Sequence, residues 1–86
     1  MTVDEFQKLC EQYKRMSKAT PKEKLAALSS GLVVFVGYNG SKAILEHGFI
    51  YVVADGPITM PSTVLYALAK AGWSWEPTYQ AWKLEA

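Results

Sequence analysis

Ser29-Ser30-Gly31-Leu32-Val33-Val34-Phe35-Val36-Gly37-Tyr38-Asn39-Gly40 is the stretch where the reading of this chain turns from helix to sheet. Upstream of it, apolar residues recur every three or four positions. Ser29-Ser30-Gly31 reads as a helix end, because glycine tolerates the left-handed geometry of a C-cap. Leu32–Val36 is short, β-branched and aromatic, the composition of a strand buried on both sides. Asn39-Gly40 is then a strong turn signal. The expectation is helices before residue 31 and a sheet that begins at residue 32.

Toward the N-terminus, Thr2 and Glu5 stand at capping-box spacing. Val3, Phe6, Leu9, Cys10, Tyr13 and Met16 form one apolar stripe, which predicts an amphipathic helix from about residue 3 to 17. Thr20-Pro21-Lys22-Glu23 starts a second helix, with Leu25 and Leu28 facing inward. Toward the C-terminus, Lys42–Leu45 admits two readings. It is either a single helical turn capped by Ser41 and closed by Gly48, or the return strand of a hairpin. The hairpin is preferred, because a strand-helix-strand crossover needs more residues than are present. Phe49–Val53 is a strand stopped by Asp55-Gly56-Pro57. A third helix begins near Pro61-Ser62, presents Val64, Leu65, Leu68 and Ala69 on one face, and ends at Gly72. Trp73–Leu84 reads as a terminal hairpin with a four-residue loop at 76–79. That loop sets Trp75 opposite Gln80 and Trp73 opposite Trp82, with all three tryptophans on one face. The fold expected is α+β in a single domain, 1–86. It comprises an N-terminal helical hairpin, a small mostly antiparallel sheet covered by helices on one side, a third helix and a C-terminal β-hairpin.

The chain has 86 residues, half of them hydrophobic and a fifth charged. A chain this short hides about 60–65% of its unfolded surface, which leaves room for one core and no lidded active site. Its net charge of +1 argues against a strongly basic nucleic-acid binder and against an acidic mimic of nucleic acid. One cysteine excludes an internal disulfide framework and suits a reducing compartment. The longest apolar runs fall far short of the ~20 residues of a membrane-spanning helix. The N-terminus lacks the pattern of a signal peptide. The expected location is the cytoplasm, with no membrane partner.

Few residues offer chemistry. His47, the only histidine, sits between Glu46 and Gly48 at a turn, with no partner that would make it a general base. Cys10 lies on the apolar stripe, where a free cysteine packs as a small hydrophobe. One Cys and one His do not make a metal site. Gly37-Tyr38-Asn39-Gly40-Ser41-Lys42 lacks the order of a phosphate loop. It matches the Gly-x-x-Gly clamp of KH modules only by a pattern that is common by chance. The expectation is a protein that is not an enzyme and takes no metal or cofactor.

Two features point to binding. Lys14, Arg15, Lys18, Lys22 and Lys24, offset only by Glu23, give +4 between residues 14 and 24. This corner reads as a landing site for phosphates or for an acidic protein surface, or as an ordinary solvated helix face. Three Trp, five Tyr and three Phe exceed what so small a core readily covers. Of these, Tyr38, Trp75 and Tyr79 stand beside turns and join the basic residues as candidate partner contacts.

Leu68-Ala69-Lys70-Ala71-Gly72-Trp73-Ser74-Trp75-Glu76-Pro77, with Ala81-Trp82 following, resembles a helix-hairpin ending found in antirestriction-type and polyvalent proteins of phages and plasmids. Trp73 stands where that pattern has Phe and Glu76 where it has Ser, and the basic residues common in its turn are missing. The resemblance covers about a third of the chain and concerns structural residues. It implies an accessory protein of a mobile element that binds and inhibits a host protein of defence or nucleic-acid processing by occluding its surface. A nucleic-acid-binding module that uses the basic corner is the alternative, and a homo-oligomer is compatible with either.

Overall fold

A computed structural model describes residues 1–16 and 20–86, and among these the side chains of all but Arg15 and Met16. The elements are α1 (Val3–Met16), α2 (Pro21–Val36), β1 (Lys42–Glu46), β2 (Phe49–Val53), a 3-10 turn (Pro57–Thr59), α3 (Ser62–Ala71), β3 (Ser74–Glu76) and β4 (Ala81–Glu85). The four strands form one antiparallel sheet in the order β1-β2-β4-β3. This is the expected α+β architecture. β2 and β3 run parallel with β4 between them, and α3 makes the crossover.

Both N-terminal helices start as their sequences dictate. The Glu5 amide donates to Thr2 Oγ1 at 3.1 Å, and Glu5 Oε1 accepts from the Thr2 amide at 3.2 Å. Thr20 and Glu23 repeat the pair at 3.2 and 3.3 Å. Each box satisfies two amides that the helix cannot bond internally. Along α1, Phe6 is fully buried and Leu9, Cys10 and Tyr13 pack partly against the core. The expected end of α1, near residue 17, lies outside the described residues.

The largest departure from expectation is α2. It does not end at Gly31 but continues to Val36, so Leu32–Val36 is helix and not a buried strand. Gly31 has a different task. The Trp73 indole lies across α2 at this point, and a Cβ on residue 31 would stand 2.4 Å from Trp73 Nε1. That nitrogen donates to the Ala27 carbonyl at 2.9 Å. A helix-interior glycine costs about 1 kcal/mol against alanine. Here the cost is offset by seating a tryptophan with 0% exposure. Ala27, Gly31 and Phe35, spaced by four, form the buried face of α2. Leu28 is partly buried, whereas Leu25, expected to face inward, is 69% exposed.

Asn39-Gly40 therefore closes a helix and not a hairpin. Asn39 takes a left-handed conformation (φ 59), and the Gly40 amide donates to the Phe35 carbonyl at 2.7 Å. Lys42–Glu46 is a strand, as preferred, but its hairpin partner follows it. β1 pairs with β2 through His47-Gly48, whose φ values of 52 and 80 suit a two-residue turn of the primed type.

α3 ends at Gly72 (φ 105), as expected. The Gly72 amide bonds to the Ala69 carbonyl and the Trp73 amide to that of Leu68, the two bonds of a Schellman end. This stop delivers Trp73 into the core. There Trp73 meets Phe35 edge-on at 4.9 Å, and Phe35 stacks on Trp82 at 5.3 Å. Phe6 meets Trp82 edge-on at 5.3 Å. In the terminal hairpin the loop is 77–80. Trp75 stands opposite Trp82, not Gln80, and Trp73 precedes the strand. The pairing differs from the expected one by two residues, which leaves Trp75 and Trp82 on the same face because side chains alternate with period two.

These contacts invert the usual rule for helix glycines. Gly31→Ala should lower stability by roughly 1–3 kcal/mol through overpacking against Trp73. Gly37→Ala, where a Cβ meets nothing closer than the Val34 carbonyl at 3.4 Å, should be near neutral. Urea unfolding of the two variants beside the parent chain checks this, and a stabilised Gly31→Ala would refute the packing described.

Candidate functional site

The register separates the two faces of the sheet. Ile50, Val52, Trp75, Trp82 and Leu84 point at the helices and join the core. Lys42, Ile44, Glu46, Phe49, Tyr51, Val53, Ser74, Glu76, Lys83 and Glu85 point the other way. No helix among the described residues covers that second face. Its centre is aromatic and apolar: Phe49 lies 6.3 Å from Tyr51, and Tyr79, reaching over from the 77–80 turn, meets Tyr51 edge-on at 5.1 Å. Ile44 stands opposite Tyr51 and is 41% exposed. The Lys83 ammonium sits 4.2 Å above the Phe49 ring, within cation–π range. Around this centre run Lys42, Lys83, Glu46, Glu76 and Glu85. An aromatic centre with a charged rim is the anatomy of a protein-binding patch.

Of the sequence candidates, Tyr79 belongs to this face and is 55% exposed. Trp75 does not: its half-buried ring lies on the helix side, edge-on to Trp82 at 5.4 Å and beside Gly56. Its carbonyl accepts from the Gln7 side chain at 2.6 Å, which ties β3 to α1. Tyr38 is half-buried after α2 and packs on the core, and its carbonyl accepts from the Asp55 amide. Lys14 and Lys22 are exposed, whereas Lys24 is partly covered and its Nζ reaches the Ala86 carbonyl at 3.5 Å. Lys18 and the Arg15 side chain lie outside the described residues. An open cleft nearby is lined by Lys14, Lys24, Lys70 and Lys83, but also by Glu11, Glu23 and Glu85. The described charges there are mixed in sign.

The sequence reading missed Phe49, Tyr51 and Lys83. Alternation along the expected strand Phe49–Val53 places Phe49, Tyr51 and Val53 on one face, but which face the helices leave open is not a local property of the sequence. It also missed an exposed stripe on α2, Leu25, Leu32, Val33 and Val36, because those residues share a face only if the helix continues past Gly31.

His47 is exposed in its turn, with Nε2 3.3 Å from Glu46 Oε1. Cys10 sits under the α3–β3 junction and its thiol donates to the Trp73 carbonyl at 3.3 Å. Burial pushes the thiol up to about 12. Compared with family models, curated proteins and solved structures, the chain matches none of them.

Because the folded state holds Cys10 as the neutral thiol, its contribution to stability is complete below the free-thiol pKa and is lost as pH rises from there toward 12. At pH 8 alkylation by iodoacetamide should run on the order of a hundredfold slower in the native chain than in urea. Rates followed by mass spectrometry check this, and equal rates would show the thiol to be freely accessible.

Proposed function

We propose that this protein acts by binding another protein through the open face of its sheet. The observation that carries the reading is the Phe49–Tyr51–Tyr79 cluster at the centre of a charged rim, with Tyr79 exposed and Phe49 and Tyr51 partly so. Aromatic anchors of this kind dominate binding energy because one ring hides much area while few rotors are frozen. Aromatics on a sheet can also stack nucleobases, but such platforms lie in a positive groove. Here the rim has two bases, Lys42 and Lys83, against three acids, Glu46, Glu76 and Glu85. That balance favours a protein surface. The ending at residues 68–82 supports the finer reading of an accessory protein of mobile-element type that occludes a host protein. Nucleic-acid binding through exposed Lys14 and Lys22 is the second reading, and it carries a steep salt dependence.

The test immobilises the intact chain and the Phe49→Ala/Tyr51→Ala variant and exposes both to the same host extract with nuclease added. A stoichiometric protein partner should be retained by the parent, and its affinity for the variant should fall by about thirtyfold or more, the cost of a hot-spot ring. Melting curves confirm that both chains fold. Equal capture by the two chains, or capture that nuclease abolishes, would overturn the reading.

A further inference from the structure

The two edges of the sheet are finished differently. β3 has only three residues, and α1 lies over it: Gln7 bonds the Trp75 carbonyl and Cys10 the Trp73 carbonyl. β1 has five residues, all of them exposed, and no side chain among the described residues bonds its outer backbone. It carries no proline and its register with β2 is uninterrupted; of the usual protections against pairing with another strand it has only the charges of Lys42 and Glu46, at its two ends. Ile44 is 41% and Leu45 70% exposed on this edge.

The sequence of the strand, Lys42-Ala43-Ile44-Leu45-Glu46, is complementary to its own reverse. The two-residue turn makes Glu46 and Phe49 a bonded pair, so alternation commits Lys42, Ile44 and Glu46 to β2 and aims the amides and carbonyls of Ala43 and Leu45 outward. We propose that a second copy of this chain pairs there, β1 against β1, antiparallel about a two-fold axis at Ile44. In that register Ala43 and Leu45 exchange backbone bonds with Leu45 and Ala43 of the second copy. Ile44 meets its counterpart, and Lys42 and Glu46 meet Glu46 and Lys42. Centring the axis on Ala43 or Leu45 instead sets the charged residues opposite Ile44 or glycine, so charge selects the Ile44 register. The result is one eight-stranded sheet with the two aromatic faces side by side. The pairing uses the outer edge of β1 and does not depend on what the open face binds.

Sedimentation equilibrium of the intact chain, from about 1 to 300 µM, reads the association, which is expected in the micromolar range for so small a contact. The mass should rise from 9.6 kDa to twice that value and stop. Lys42→Glu and Glu46→Lys each set like charges opposite each other twice and should raise the dimer Kd about tenfold or more. The double variant Lys42→Glu/Glu46→Lys restores both pairs and should return to within about threefold of the parent. Ile44→Cys should oxidise to a disulfide-linked dimer, while Leu25→Cys should not. A monomer throughout the range, growth beyond a dimer, a double variant as weak as the single ones, or no crosslink at residue 44 would each overturn the proposal. Phe49→Ala/Tyr51→Ala leaves the outer edge of β1 intact and should still dimerise, so this inference and the proposed binding role fail separately.

Discussion

The Trp73 indole lying across Gly31, with its N–H on the Ala27 carbonyl, is the contact on which the other elements depend. It joins the second helix to the junction between α3 and β3, two parts of the chain far apart in sequence. A side chain at residue 31 would push the ring out, and Phe35 and Trp82, which stack behind it, would lose their wall. The four large rings of Phe6, Phe35, Trp73 and Trp82 are all at least 99% buried. In a chain with so small an interior, this aromatic cluster supplies much of the area removed from water. Both buried indole nitrogens have a carbonyl partner, Ala27 for Trp73 and Asp55 for Trp82, so the cluster is sealed without an unpaired donor.

That economy explains the surface. The three helices of the described residues are spent on one face of the sheet, and the other is left with Tyr79 more than half exposed and Phe49 and Tyr51 partly exposed. α2 is apolar on two sides. One is the Ala27–Gly31–Phe35 seat, and the other is the Leu25, Leu32, Val33 and Val36 stripe, which nothing among the described residues covers. The sheet edges follow the same division: α1 protects β3, and β1 is left bare.

The reactive groups are correspondingly quiet. Cys10 is part of the joint between α1 and the α3–β3 corner, where its thiol is a hydrogen-bond donor and burial opposes ionisation. His47 serves a turn that requires positive φ, in company with Gly48. Two of the three charges at the start of α2 are engaged locally: Glu23 closes a capping box and Lys24 reaches the Ala86 carbonyl, while Lys22 is exposed.

The sequence by itself determined the features whose causes lie within a few residues. The two Thr-x-x-Glu boxes place helix starts. Gly72 places a helix end because only a residue without a Cβ adopts φ 105 freely. The alternation at 49–53 makes a strand, and the aromatic-rich ending makes a hairpin. Features set by distant contacts were not legible. Leu32–Val36 is a short apolar run that suits strand or helix equally, and Trp73, which holds it as helix, lies far along the chain. The hairpin register depends on whether the loop spans 76–79 or 77–80, and the packing of Trp82 on Phe6 and Phe35 decides it. The open face depended on knowing which side of the sheet the helices would take. Local chemistry chose the elements; the fit of one tryptophan against one glycine decided where the second helix ended, and with it which surfaces the molecule shows.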